Sequence, residues 1–264
     1  MVNGRLREIM KNTLVTILIL FSISGTAQQR AQPVSRLVKE ILKTYRKLFE
    51  FDNTYDGLKE NVGDSIDKYN SALISLISAP AFGVLKDSDY NSISKSTDIA
   101  IQFSQDKKLM VVSWRVLYNI PNQECINILW IGGKATSANA MKVDTEEEFA
   151  NNVQVEKIVD FNLRGRVYYL LMGSKRIGNL DILEMISAFY ITNNDKFNPA
   201  SIFYDGKKYY QELGFDYILN VDIKEEPSFL IKGDELTCPT FNEYRTIVTG
   251  SKRYKIKPAG LSKQ

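Results

Sequence analysis

The chain has 264 residues, a formal net charge of +3, 25% charged and 44% apolar side chains, and no histidine. That composition describes one globular domain or two small ones, too apolar for disorder and long enough to bury a substantial core. The missing histidine excludes every His-containing catalytic relay and every His-ligated metal, and two cysteines cannot build a Cys₄ zinc or iron–sulfur site within one chain.

Arg5, Arg7 and Lys11 precede an apolar run from Thr13 to Ile23, followed by Ser24-Gly25-Thr26-Ala27 and Gln28-Gln29. A basic start, a short apolar stretch and a small-residue end predict a secretory signal peptide over residues 1–27, cleaved after Ala27. The run is short of the roughly 20 residues that a bilayer span requires. No later apolar run is long enough either, so the mature chain is expected to have no transmembrane segment. The expected address is the periplasm or another extracellular or cell-envelope compartment. Export gives Cys125 and Cys238 an oxidising context, and a Cys125–Cys238 disulfide is expected. The chain-entropy account assigns such a long loop about 4–5 kcal/mol at most. The alternative is two separate buried thiols packed as small hydrophobes. Neither cysteine has the setting of a nucleophile, because there is no histidine and no C-x-x-C pair.

Residues 28–85 read as helical. Val34, Leu37, Val38, Ile41, Leu42, Tyr45, Leu48 and Phe49 recur at spacings of three and four and share a face, while Arg36, Lys39, Lys43, Arg46 and Lys47 fall opposite. Pro33 suits the first turn. This basic face is read as solvated, diluted by Glu40 and Glu50. Its other reading is a docking surface for an anionic membrane or an acidic partner. A second helical pattern, Leu58, Val62, Ile66, Tyr69, Leu73, Leu76 and Ile77, ends before Pro80. Residues 86–97 are polar, Ser-rich and without periodicity, and are predicted to be a linker.

From 98 to 264 the texture is short apolar runs at near-regular spacing, broken by Gly and Asp turns, which predicts an antiparallel β domain. Asp205-Gly206 is the sharpest hairpin signal and predicts a type I′ turn; Arg164-Gly165 is a second turn. Thr145 with Glu148 forms a capping box for a short helix on one long connection. The fold class is therefore α+β: an N-terminal helical pair followed by a larger antiparallel β meander, sandwich or barrel.

No phosphate-binding loop, dinucleotide fingerprint, EF-hand or nucleophile elbow is present. Ser65–Lys68 and Ser92–Lys95 each match S-x-x-K, but the K-T-G partner is missing, and such matches arise by chance in a Ser- and Lys-rich chain. No cofactor, metal or catalytic residue is assigned. A two-carboxylate hydrolase acting on envelope glycan needs no histidine, but among Asp205, Asp216, Asp222, Glu225 and Glu226 spacing selects no pair. Removing residues 1–27 takes away Arg5, Arg7, Lys11 and Glu8 and leaves a nearly neutral chain, which argues against nucleic acid as a partner. Phe203, Tyr204, Tyr209, Tyr210, Phe215 and Tyr217 cluster closely. If strand alternation exposes one subset, Tyr204, Tyr210 and Tyr217 are the expected platform for a glycan, a peptide or a protein partner. The competing reading is cross-strand aromatic stabilisation of the hairpin.

Ser104-Gln105-Asp106-Lys107-Lys108-Leu109 leading to Ser113-Trp114 resembles a hairpin of uncharacterised secreted β-rich proteins of the Bacteroidota. Tyr168–Leu171 with Gly173, Ala188–Ile191, Arg253–Ile256 and the signal-peptide end Thr26-Ala27-Gln28-Gln29 are similar to the same group. The resemblance spans residues 98 to 257. It implies export and a β-rich fold, and carries over no activity and no site residue. The expectation is a non-enzymatic exported binding protein, with the carboxylate hydrolase as its alternative.

Overall fold

A computed structural model describes residues 36–52, 60–116, 125–136, 153–178, 180–219 and 227–259. The signal-peptide reading, Pro33, the Thr145–Glu148 capping box, Asp222, Glu225 and Glu226 lie outside them.

Helices α1 (Arg36–Asp52) and α2 (Glu60–Ser78) form the expected N-terminal pair. The apolar stripe of α1 is buried at Val38, Ile41, Tyr45 and Leu48, and that of α2 at Ile66, Leu73 and Ile77. Lys39, Lys43, Arg46 and Lys47 face solvent. The predicted linker instead contains a third helix, α3 (Asp87–Ser96). Only Tyr90 and Ile93 are buried from it, too few for a visible period. The ends stabilise it: Asp87 and Asp89 occupy the first turn and Lys95 the last, complementing the helix dipole. The Asp89 carboxylate also accepts the Lys86 N–H (3.3 Å).

Among the described residues three antiparallel sheets follow, and they do not close into a barrel. Sheet A runs β1 (Ala100–Phe103), β2 (Leu109–Arg115), β3 (Cys125–Ile131) and β4 (Lys134–Thr136). Sheet B has the order β11 (Glu212–Ile218), β7 (Asp181–Ile191), β6 (Arg166–Arg176), β5 (Gln154–Leu163), with β8 (Phe197–Pro199) paired to β7. Sheet C has the order β10 (Tyr209–Tyr210), β9 (Phe203–Tyr204), β14 (Val248–Ile256), β13 (Glu235–Phe241), β12 (Leu230–Lys232).

Side-chain alternation stacks these elements into layers. On β2 and β3, Met110, Val112, Trp114, Ile128 and Trp130 pack against the helices. Leu109, Val111, Leu129 and Ile131 face the other way, onto Val155, Tyr169, Leu171 and Phe189 of sheet B. The opposite face of sheet B, including Tyr168, Leu170, Ile186 and Ala188, packs on Phe203, Leu236, Tyr254 and Ile256 of sheet C. The order is helices, sheet A, sheet B, sheet C. The two middle layers are covered on both faces, so β2 and β3 read as mostly apolar runs, interrupted only by Ser113 and Asn127, instead of alternating ones.

Buried polar groups tie the layers together. The Trp114 indole N–H donates to Asn70 Oδ1 (2.9 Å), and the Asn70 amide donates to the Ile66 carbonyl (3.1 Å). Between sheets A and B, the Val155 N–H donates to Ser113 Oγ (3.0 Å) and the Asn127 amide to the Val153 carbonyl (3.1 Å). Each pairing offsets the cost of burying a polar group.

The layering corrects the expected disulfide. Cys125 opens β3 in sheet A, Cys238 sits in β13 in sheet C, and sheet B lies between them. Stacked sheets are about 10 Å apart, whereas bridged Cα atoms lie within about 7 Å. The two cysteines are buried and not bonded to each other, the alternative reading of the sequence. Burial pushes the Cys238 thiol up to about 11, against a smaller opposing pull from Lys252.

Candidate functional site

The aromatic hairpin was the predicted platform, and its register divides it. Tyr204 stands opposite Tyr209 and Phe203 opposite Tyr210, so Tyr204 and Tyr210 lie on different faces. Tyr217 is only 2% exposed, packed among Phe215 and Phe241. Tyr204 and Tyr209 are in ring contact at 4.8 Å, with the Lys257 ammonium 3.6 Å from the Tyr204 ring centre. Tyr210 meets Tyr254 edge-on at 5.9 Å, under Lys208 and Lys252. The three tyrosines do not form one surface.

The loop at Asp205 also differs from expectation. It spans 205–208, and among its residues only Gly206 takes a positive φ, of 100°. Asp205 acts through its carboxylate: the Lys208 and Lys207 amides and the Tyr210 hydroxyl all donate to it, at 3.0, 2.9 and 2.7 Å. These bonds hold its carboxyl well below the usual carboxylate range. The two-residue turn with both φ values positive lies at Arg164 (52°) and Gly165 (78°), closed by the Leu163–Arg166 pair.

The other carboxylates are also engaged in structure. Asp181 and Asp216 share Arg245, with the Asp181 ion pair at 2.8 Å. Asp106 closes the β1–β2 turn. Its carboxylate accepts the Ser104 hydroxyl (2.7 Å), the Lys108 N–H (3.0 Å) and the buried Tyr169 hydroxyl (2.8 Å). Partial burial works against its charge, but these donors prevail and hold the carboxyl below the usual range. The same carboxylate, with burial as the larger cause, pushes the Tyr169 phenol upward. The S-x-D-x-K stretch is thus a hairpin lock between sheets A and B. The S-x-x-K matches lie on α2 and α3.

Concave surface occurs where the layers end. A cleft of about 580 Å³ opens between sheets A and B, lined by Lys108, Arg166, Tyr169, Tyr190, Thr192, Asn193 and Asp195. A second, of about 480 Å³, opens between sheets B and C, lined by Arg164, Arg166, Tyr168, Tyr190, Pro199, Ile202 and Pro258. They share two side chains. Arg166 begins β6 and Tyr190 lies on β7, and the Tyr168–Tyr190 pair brings them together. The Arg166 guanidinium rests over the Tyr190 ring at 4.8 Å, forming a rib between the two clefts. Among the described residues Arg166 has no carboxylate partner. Stacking fixes the plane of the guanidinium and leaves its N–H fork free to receive a planar anion.

Two further clefts lie among the helices. One, of about 410 Å³, is lined by Leu42, Tyr45, Arg46 and Phe49 of α1 and by Lys95 to Asp98. Its Tyr45 hydroxyl is already given to Asp98 (3.1 Å). The other is a groove between α1 and α2. Among the described residues, each of the four clefts is lined by at most one carboxylate. No group of His, Cys, Asp and Glu among them is arranged to hold a metal, and no helix among them is long and apolar enough to cross a membrane.

Sequence reasoning did not find Arg166 and Tyr190. Their only sequence signal is the Arg164-Gly165 turn, which marks a hairpin end but not what lies across it. Compared with family models, curated proteins and solved structures, the chain matches none.

Proposed function

We propose that this chain is an exported, non-enzymatic binding protein that takes its ligand at the paired clefts flanking Arg166 and Tyr190. The observation that carries this reading is an exposed guanidinium stacked on an aromatic ring, without a carboxylate partner among the described residues, between two concave surfaces. Such a group is poorly placed for packing and well placed to receive an anionic ligand. Export rests on the basic, apolar and small-residue pattern of residues 1–27. The carboxylate hydrolase is less well supported. It needs two acids in one cleft with one of them raised, whereas among the described residues the carboxyls with displaced values, Asp106 and Asp205, are lowered and bonded within turns.

An array of extracellular glycans and peptides probed with the protein and with Arg166→Glu tests the site. Hits lost in Arg166→Glu and kept in Tyr204→Ala are expected. Hits indifferent to Arg166→Glu, or lost in Tyr204→Ala, would place the ligand elsewhere. N-terminal sequencing of the protein recovered from the cell exterior or periplasm tests export. A mature end at Gln28 is expected, and an intact Met1 in the cytoplasm would refute it.

A further inference from the structure

The two clefts are close enough to share a wall, and their linings define the chemistry of what fits. Three cations line them, Lys108 in the first, Arg164 in the second and Arg166 in both, against a single carboxylate, Asp195. Arg164 is carried on the two-residue turn and Arg166 follows directly, so the hairpin delivers two guanidinium groups to one place. The first cleft adds Asn193 and Asp195, whose side chains have no hydrogen-bond partner among the described residues. A mixture of free amide and carboxylate suits hydroxyl groups, which both donate and accept.

We propose, resting on the reading of the clefts as the binding site, that they form one continuous site for an acidic saccharide of at least two residues. One carboxylate is held by the fork of Arg166 at the rib, and its neighbours pair with Lys108 or Arg164 on either side. The sugar hydroxyls meet Asn193 and Asp195. The alternative polyanion, an acidic peptide, fits less well. A peptide recognised as an added strand needs backbone N–H and C=O groups along its path. The second cleft is bordered by Pro199 and Pro258, which have no N–H to give.

Calorimetric titration of the purified protein with galacturonate oligomers of one to four units tests this. Neutral galacto-oligosaccharides of the same lengths, a hexaglutamate peptide and inorganic phosphate are the comparison probes. Affinity is expected to climb steeply from one unit to three and to weaken with salt. Arg166→Ala should lower trimer affinity by roughly ten- to a hundredfold, the scale of a charged hydrogen bond. Arg166→Lys should lose most of that, because an ammonium neither stacks nor forks. Lys108→Ala and Arg164→Ala should each cost severalfold. Lys108, Arg164 and Arg166 are all exposed, so these variants are expected to fold, and circular dichroism checks that they do. Neutral oligomers binding as tightly as acidic ones, with dependence on Arg166, would overturn the acidic class while sparing the cleft as the site. Tighter, Arg166-dependent binding of hexaglutamate or phosphate would overturn the saccharide. Equal affinity for one unit and three would overturn the bridging of both clefts. Absence of Arg166-dependent binding to any probe overturns the proposal, and array hits that survive Arg166→Glu overturn the binding-site reading as well.

Discussion

Asp106 shows how a residue suggestive of chemistry serves structure. Its carboxylate is the acceptor for three donors that close one hairpin and tie it to Tyr169 in the next sheet. Its folded value lies below the ordinary one. The ion therefore contributes stability above the usual unfolded value of about 3.9, and that contribution is lost as pH falls through the folded value. Asp106→Asn should lower the urea midpoint at pH 7 and flatten the loss of stability below about pH 4. Parallel pH curves for the two proteins would contradict this. Asn70 makes a similar case in the helix–sheet core, where its carbonyl accepts the Trp114 indole N–H. Asn70→Ala leaves that fully buried donor without a partner and should cost about 1–3 kcal/mol in chemical unfolding.

Elements announced themselves in proportion to how many buried side chains each one carried. The stripe of α1 was visible because four buried positions repeat at helical spacing. Helix α3 was hidden because its two buried residues and charged ends look like a polar loop. The turns show a similar limit. Asp-Gly at 205–206 pointed to a type I′ turn, yet there the carboxylate, not a positive φ at Asp205, shapes the loop, and the two-residue turn belongs to Arg164-Gly165. Gly173 marks where β5 and β6 crowd beside a register shift at Val155 and Lys157. A Cβ added there would run into the Gln154 carbonyl. Gly173→Ala should destabilise by roughly 1–3 kcal/mol through forced backbone displacement. An unchanged thermal midpoint would mean the strands can part at no cost.

At the scale of the molecule, the sequence carried the class of fold and not the stacking. Apolar runs such as Leu109 to Val112 mean burial on both faces, but they do not say which sheet covers which face. Only the stacking separates Cys125 from Cys238, and only the register sets Arg166 on Tyr190. Iodoacetamide applied after denaturation without reductant should therefore label both cysteines; labelling that requires prior reduction would indicate a bridge. Cys238, held protonated by burial, should react slowly in the native protein at neutral pH. The same layering leaves two gaps at the end of sheet B, and the proposed function depends on them. A crystal structure of the protein with trigalacturonate tests that dependence most directly. The account predicts saccharide density in both clefts, with a carboxylate on the Arg166 fork. Density on the Tyr204–Tyr209 face, or in the helical cleft lined by Phe49, with the Arg166 clefts empty, would contradict it.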